Sequence, residues 1–167
     1  ASEPNKLDPA LNSSVDGACL AILAFSGLYA YDAEGELVPE LAESYEMSED
    51  GLTYTFTLRE GLKWSDGEEL NAEDVVYSWN RLVTPETGAD YSYLADIIAR
   101  KDDDTLDIAG SGNTFTVKLK APCAYFLDLC AFPAFYPVPQ QCVEAAEGAE
   151  ENPAHGALSL DLLLPVR

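Results

Sequence analysis

The sequence predicts an α+β fold in which an antiparallel or mixed sheet is flanked by helices. Apolar residues alternate with threonines over 52–58, a pattern typical of a strand with one face in solvent. Apolar residues recur at spacings of three and four over 71–83, as they do in an amphipathic helix. Predicted strands outnumber predicted helices and are joined by short turns, which favours an α+β arrangement.

The first predicted element is a helix over 15–25. It follows Asn12, Ser13 and Ser14, which are good N-cap residues, and it contains a run of apolar side chains. Gly27 comes directly after the last periodic residue, where a glycine commonly ends a helix.

Extended segments follow at 28–31 and 41–47. The second segment has apolar residues on one side, and we expect Leu41, Tyr45 and Met47 to face inward. A short extended piece at 62–64 comes after the threonine-rich strand and is stopped by a turn that ends in glycine.

A helix over 72–83 is the clearest helical prediction. Asn71 caps it, and acidic residues occupy its first turn, where the helix dipole favours negative charge. Pro85 ends it. Beyond it the pattern predicts a helix, a hairpin and two further helices, at 91–98, 105–108 with 114–119, 125–130 and 144–151.

Composition excludes several classes of function. The 167 residues include 30 Asp and Glu against 9 Lys and Arg, so the net charge is −21. A nucleic-acid-binding protein needs clustered cations to displace counterions from phosphates, and this chain has none. Since 47% of the residues are hydrophobic, the chain is too apolar for a disordered acidic tail. Its length suits roughly one domain.

Neither a membrane span nor an export signal is visible in the sequence. There is no run of about 20 apolar residues, and residues 1–5 lack a basic segment followed by an apolar one. The four cysteines, at 19, 123, 130 and 142, show no CxxC spacing, and His155 is the only histidine. A zinc site is therefore poorly supported, whereas disulfides and buried free thiols both remain open.

Several motifs in a fixed order resemble one family, the extracellular solute-binding proteins of family 5, which serve ATP-driven oligopeptide and dipeptide importers. The most specific block is YTFTLREGLKWSDG at 54–67, followed by NAEDVVYSW at 71–79. The other segments are LDPA at 7–10, FSGLY at 25–29, LVPELAESY at 37–45 and YPVP at 136–139. Together the resemblance covers about residues 1–143.

The resemblance implies a periplasmic-binding-protein-like fold of type II, of which this chain is the N-terminal portion. Residues 1–27 would be a severed piece of the first lobe and 28–140 a small inserted lobe. Residues 141–167 would be a truncated return segment. We expect its tail, 155–167, to be disordered or to mediate crystal or dimer contacts, because it is not typical of the family.

The resemblance also implies a function. The full-length protein would capture oligopeptides outside the membrane and deliver them to the permease of an importer, as a monomer, without catalysis and without a cofactor. It would lie in the periplasm, or on the outer face of the membrane through a lipid anchor that this chain lacks. Family relatives that carry a nickel chelate, haem or a sugar provide an alternative ligand.

Two groups of residues match positions near the family's peptide cleft. The first is the stretch Asn12, Ser13, Ser14 and Val15, where some relatives have an acid in place of Ser13. The second is Tyr91 with its neighbour Tyr93, which could equally be tyrosines of the core or its rim. No residue of this chain matches the acid that holds the peptide amino terminus in the family.

Other classes of function have weaker support. An acidic hydrolase with a carboxylate pair is compatible with 30 carboxylates, but no two of them form a marked motif. No nucleophile motif of the GxSxG type is present. The run 102–104 is acidic without the ligand spacing of an EF-hand, so a solvated charge run is favoured over a calcium site.

Overall fold

The computed structural model describes residues 7–148 and 165–166, and in this part of the chain the predicted α+β class is confirmed. The helices are α1 (Val15–Ala24), α2 (Ala72–Val83), α3 (Phe126–Cys130) and α4 (Gln140–Gly148). The strands are β1 (Tyr29–Tyr31), β2 (Leu37–Pro39), β3 (Ala42–Met47), β4 (Thr53–Leu58), β5 (Lys63–Trp64), β6 (Ile108–Ser111), β7 (Thr114–Lys118) and β8 (Pro165–Val166). Short 3₁₀ helices lie at Pro85–Thr87, Ser92–Ile97 and Pro133–Phe135.

The central sheet has four antiparallel strands in the order β3-β4-β7-β6. Its register places Phe56 of β4 opposite Phe115 of β7. The alternation predicted for β4 is present, because Tyr54, Phe56 and Leu58 are buried while the intervening threonines are not. Strands β1 and β2 form a separate antiparallel hairpin.

Helix α2 covers one face of this sheet. Trp79 is fully buried and meets the rings of Phe115 and Phe135 edge-on, at centroid distances of 4.9 and 5.0 Å. Its indole N–H donates to the Phe135 carbonyl at 2.9 Å. The start of α2 approaches β6 closely because Gly110 has no side chain: a Cβ there would lie 2.5 Å from the carbonyl oxygen of Ala72.

The edge strand β3 is less buried than predicted, although its apolar side chains face inward as expected. Leu41, just before it, is buried as expected, but Tyr45 and Met47 remain 39% and 54% exposed. Tyr45 stacks on Tyr54 of β4 at 5.7 Å, and its ring also lies 5.9 Å from that of Phe56 and 6.2 Å from that of Tyr29. Tyr45 and Met47 lie opposite buried Phe56 and Tyr54, so they face inward as predicted. Because β3 is an edge strand, they remain partly exposed.

Several boundaries also differ. The segment predicted as a helix over 91–98 is a 3₁₀ helix, Ser92–Ile97. The strand predicted over 105–108 starts only at its last residue, because Leu106 pairs with Arg100 in an isolated bridge, next to the hydrogen bond from the Lys101 amide to the Thr105 carbonyl. Helix α4 begins right after Pro139, earlier than predicted. The end of that prediction, 149–151, lies outside the described residues.

The C-terminal strand β8 is antiparallel to β5, with Pro165 opposite Trp64. This pairing differs from the disorder expected for the tail. The rest of the tail lies outside the described residues. Within 7–148 and 165–166, no helix has the length and apolar character that a membrane crossing needs.

Candidate functional site

The loop before α1 is anchored by a buried ion pair. Asp8 accepts hydrogen bonds from both terminal nitrogens of Arg81, at 3.1 Å to Oδ1 and 2.7 Å to Oδ2. The same Oδ1 accepts from the Ala10 amide at 3.0 Å. The two ionic side chains are only 6% and 10% exposed, so this contact fixes the loop against helix α2.

The side chains of two predicted ligand-contacting residues, Asn12 and Ser14, form hydrogen bonds within the loop. The Asn12 Oδ1 accepts from the Ser14 amide at 3.2 Å and from the Ser14 hydroxyl at 3.0 Å. Asn12 Nδ2 donates to the Ser14 carbonyl at 3.1 Å. Ser14 Oγ in turn accepts from the Gly17 amide at 3.1 Å, which makes Ser14 the N-cap of α1. The side chains of Asn12 and Ser14 therefore shape the loop.

The other two residues of this stretch are accessible. Ser13 and Val15 are exposed, and Val15 begins α1. A ligand strand laid along this loop would meet the side chains of Ser13 and Val15 and the loop backbone.

The tyrosine pair lies at the start of the second 3₁₀ helix. Tyr91 is half-buried and meets Phe132 edge-on at 5.3 Å. Tyr93 is 59% exposed, with its ring 6.3 Å from that of Tyr91. Tyr91 is thus a rim residue of the core, and Tyr93 is the more accessible of the two.

The two groups of candidate residues are not joined directly. In the described part of the chain, no hydrogen bond or ring contact links Tyr91 or Tyr93 to the loop 12–15. Two open depressions, of about 450 and 580 Å³, are lined by other residues. The first includes Arg100 and Asp104, and the second includes Glu43 and Arg59.

The junction after α1 was not predicted from the sequence. Glu40 accepts from the Ser26 hydroxyl at 3.0 Å and from the Gly27 amide at 3.1 Å. The Glu40 carbonyl accepts from Arg59 Nε at 2.6 Å. Glu40 lies in the 37–45 block of the resemblance, but nothing in the local pattern indicates these partners.

Among the described residues, the cysteines and carboxylates form no metal cluster. All four cysteines lie among the described residues and are free thiols. Burial raises the pKa of the Cys130 thiol well above its usual value, which keeps it protonated and inert. Within 7–148 and 165–166, no group of three His, Cys, Asp or Glu side chains is arranged to hold a metal ion.

Comparison with known proteins identifies the fold. The sequence model described as "Bacterial extracellular solute-binding proteins, family 5 Middle" matches residues 36–158. The dipeptide-binding protein of Lactococcus lactis is 46% identical over 71% of this chain and 23% of its own length. A probable deoxycholate-binding periplasmic protein of Escherichia coli, YgiS, is 35% identical over 96% of this chain and 33% of its own length.

The solved structures agree with these sequence matches. Listeria monocytogenes OppA bound to peptide superposes with a TM-score of 0.85 and 34% identity, over 89% of this chain and 31% of OppA. The chain thus spans about a third or less of the relatives that it matches. The family model matches more than half of the residues of this chain, and the fold agrees closely with that of OppA. The chain therefore belongs to family 5 of the bacterial extracellular solute-binding proteins.

Proposed function

We propose that the full-length protein captures oligopeptides outside the membrane and delivers them to the permease of an ATP-driven importer. The observation that carries this proposal is the fold match to a relative whose structure holds a peptide, Listeria monocytogenes OppA. The identity to a dipeptide-binding protein supports the same ligand class. The protein acts by binding and release, with closure of its lobes around the ligand and no chemical step.

The site that we propose on this chain uses the loop 12–15 and the tyrosine pair. The peptide main chain pairs with the loop backbone, as an added strand does, and Ser13 and Val15 flank it. Asn12 and Ser14 act indirectly by holding the loop, through the hydrogen bonds that join them to each other and to Gly17. The exposed ring of Tyr93 is available for contact with a peptide side chain.

Residues 1–167 alone should bind peptides weakly or not at all. The two groups of candidate residues share no direct contact, and the depressions on the described surface are open. A peptide buried between lobes needs both walls of the cleft, because affinity for an extended ligand depends on how much of its surface is enclosed.

The proposal also places the protein outside the cytoplasmic membrane as a monomer that docks on a permease. The family is described as extracellular. A lipid anchor or a free periplasmic form are both compatible with delivery to a membrane partner.

A different ligand is the second candidate. One relative, YgiS of Escherichia coli, is named for deoxycholate binding and is 35% identical. A small amphipathic molecule in the same cleft would need no main-chain pairing. The loop 12–15 would then contribute little to affinity, while the tyrosine rings would still pack on the ligand.

Calorimetry on the full-length protein tests the peptide site. We expect micromolar or tighter binding of a peptide from a mixed library. Tyr93→Ala should weaken binding several-fold, whereas Tyr125→Ala, which truncates another exposed tyrosine, should leave the affinity unchanged. Binding of bile acids but of no peptide would favour the second candidate. Turnover of an ester, peptide or glycoside that is lost on mutation of one carboxylate would contradict a purely binding role.

A further inference from the structure

Strand β3 leaves one edge of the central sheet without a backbone partner. It is the last strand on that side, and among the described residues no backbone hydrogen bond joins 43–47 to any segment other than β4. The strand at the opposite edge, β6, is covered, because Lys101 Nζ donates to the Ile108 carbonyl at 3.0 Å and α2 packs against this strand. An edge with free donors and acceptors can take up a strand from another chain.

The alternation of the ladder shows which backbone groups of β3 are free. In an antiparallel pair, hydrogen-bonded residue pairs alternate with pairs whose N–H and C=O groups point away from each other. The Ser48 amide donates to the Thr53 carbonyl at 2.9 Å, and Met47 is the next residue along this ladder. The N–H and C=O groups of Met47 and Tyr45 therefore point outward, and they offer two donors and two acceptors to a further strand.

The side chains of β3 define the kind of strand that fits beside it. Tyr45 and Met47 lie on the inner face of the sheet and are only partly covered. Ser44 and Glu46 lie on the outer face, and Glu43 stands at the register irregularity that begins β3. The strand contains no Lys or Pro, which commonly keep edge strands from pairing. A matching strand has apolar residues on one face and Lys or Arg on the other.

Charge argues against a second copy as the occupant of this edge. Antiparallel pairing of the whole of β3 with another β3 places Glu43 opposite Glu46, and like charges at opposite positions destabilise a strand pair. The net charge of −21 adds a general repulsion between copies. In the described part of the chain neither glutamate forms an ion pair, so both can attract a cationic partner.

We propose that the outer edge of β3 is a docking site for an extended segment of a partner protein, in which apolar residues alternate with Lys or Arg. The segment adds a further strand to the central sheet, with its backbone bonded to that of Tyr45 and Met47. Its apolar residues continue the inner face, and its cations lie beside Glu46. This site uses none of the residues proposed for the peptide ligand, so it does not depend on what the cleft binds.

A displayed strand tests the site on the full-length protein. The probe is a short segment of alternating lysine and valine, held in a surface loop of an inert carrier protein so that a cleft that encloses its ligand cannot take it up. Surface plasmon resonance should detect binding that weakens roughly tenfold when salt rises from about 0.05 to 0.5 M. A carrier that displays alternating glutamate and valine should not bind. Absence of binding by the lysine probe would overturn the proposal.

Two variants of β3 locate the interaction. Met47→Pro removes an outward N–H and leaves the hydrogen bonds to β4 in place, so it should abolish probe binding. Glu46→Lys should weaken binding at least roughly tenfold, and it keeps the test valid if Met47→Pro does not fold. Glu86→Lys makes the same change of charge on an exposed residue of a 3₁₀ helix, and it should leave the affinity within about twofold of the wild type. Wild-type affinity in folded Met47→Pro or in Glu46→Lys would overturn the proposal.

Tyr93→Ala separates this site from the cleft. It should leave probe binding unchanged while it weakens the binding of a cleft peptide several-fold, so the two proposals can fail independently. Loss of probe binding in Tyr93→Ala would place the probe in the cleft and overturn the docking site. A wild-type dimer that Met47→Pro converts to a monomer would also overturn it, because a second copy would then occupy the edge.

Discussion

The buried ion pair between Asp8 and Arg81 makes a quantitative prediction. It joins residues 73 positions apart through two hydrogen bonds, of 3.1 and 2.7 Å. Since the side chains are 10% exposed or less, removal of one partner leaves a charge that water can barely reach. Breaking a buried pair in this way typically costs about 3 to 5 kcal/mol. We expect Arg81→Met to destabilise the chain by about 3 kcal/mol, a large part of the 5 to 15 kcal/mol typical of a domain.

A double-mutant cycle isolates the pair from other effects. Asp8→Asn keeps an oxygen that can accept from the Ala10 amide, so it removes the charge and little else. The single variants should each lose stability, and the double variant should lose clearly less than their sum, with a coupling energy of about 2 kcal/mol. Urea unfolding followed by tryptophan fluorescence measures this, because Trp64 and Trp79 are both buried.

An exposed ion pair is the control for this cycle. Arg100 lies 3.9 Å from both Asp96 and Asp104, and the two carboxylates are largely exposed. Arg100→Met should therefore cost no more than about 1 kcal/mol. A stability of Arg81→Met within about 0.5 kcal/mol of the wild type, with a coupling energy near zero, would refute the reasoning that the Asp8 contact holds the loop.

Further variants test the junction, the capping box and the core. Gly27→Ala should cost more than about 2 kcal/mol in urea unfolding, because its Cβ would lie 2.6 Å from the backbone oxygen of Cys130; a smaller loss would contradict this packing. Trp79→Phe should cost about 2 kcal/mol by circular dichroism, since it loses volume and a hydrogen bond, and a neutral effect would argue against its buried position. Burial raises the pKa of the Asp74 carboxyl by more than its hydrogen bonds lower it. The folded state therefore favours the protonated carboxyl, and the stability of the protein falls as pH rises and this group ionises. Asp74→Asn should therefore gain stability relative to the wild type as pH rises above about 4, and parallel pH profiles would contradict the raised pKa.

Local signals predicted α2 well because they determine its structure directly. Asn71 accepts from the amides of Glu73 and Asp74, and Asp74 accepts back from the Asn71 amide, which completes a capping box. The apolar stripe of the helix meets the sheet as expected. In such a segment the residues that signal an element also form its stabilising contacts.

Prediction was incomplete where the degree of burial depends on a strand's position in the sheet, or where two kinds of helix fit the same apolar spacing. Alternation in β3 could not show that it is an edge strand, which leaves Tyr45 and Met47 exposed. Apolar spacings of three and four in 92–97 fit an α-helix and a 3₁₀ helix about equally, and the structure has the latter.

The candidate site could be predicted only as a list of positions. Family resemblance indicated Asn12 and Ser14, but no local pattern revealed that their side chains bond to each other. The contact between Asp8 and Arg81 is set by tertiary packing, so neither residue carries a local signal for it. The role of the loop 12–15 in binding remains a prediction.

Mass spectrometry of the ligand that copurifies with the full-length protein tests the central claim, that these residues belong to a peptide-capturing protein. Under native conditions the account predicts a bound population of short peptides of mixed sequence, released on denaturation. Recovery of a bile acid, a haem, a nickel chelate or a sugar with no peptide would contradict it.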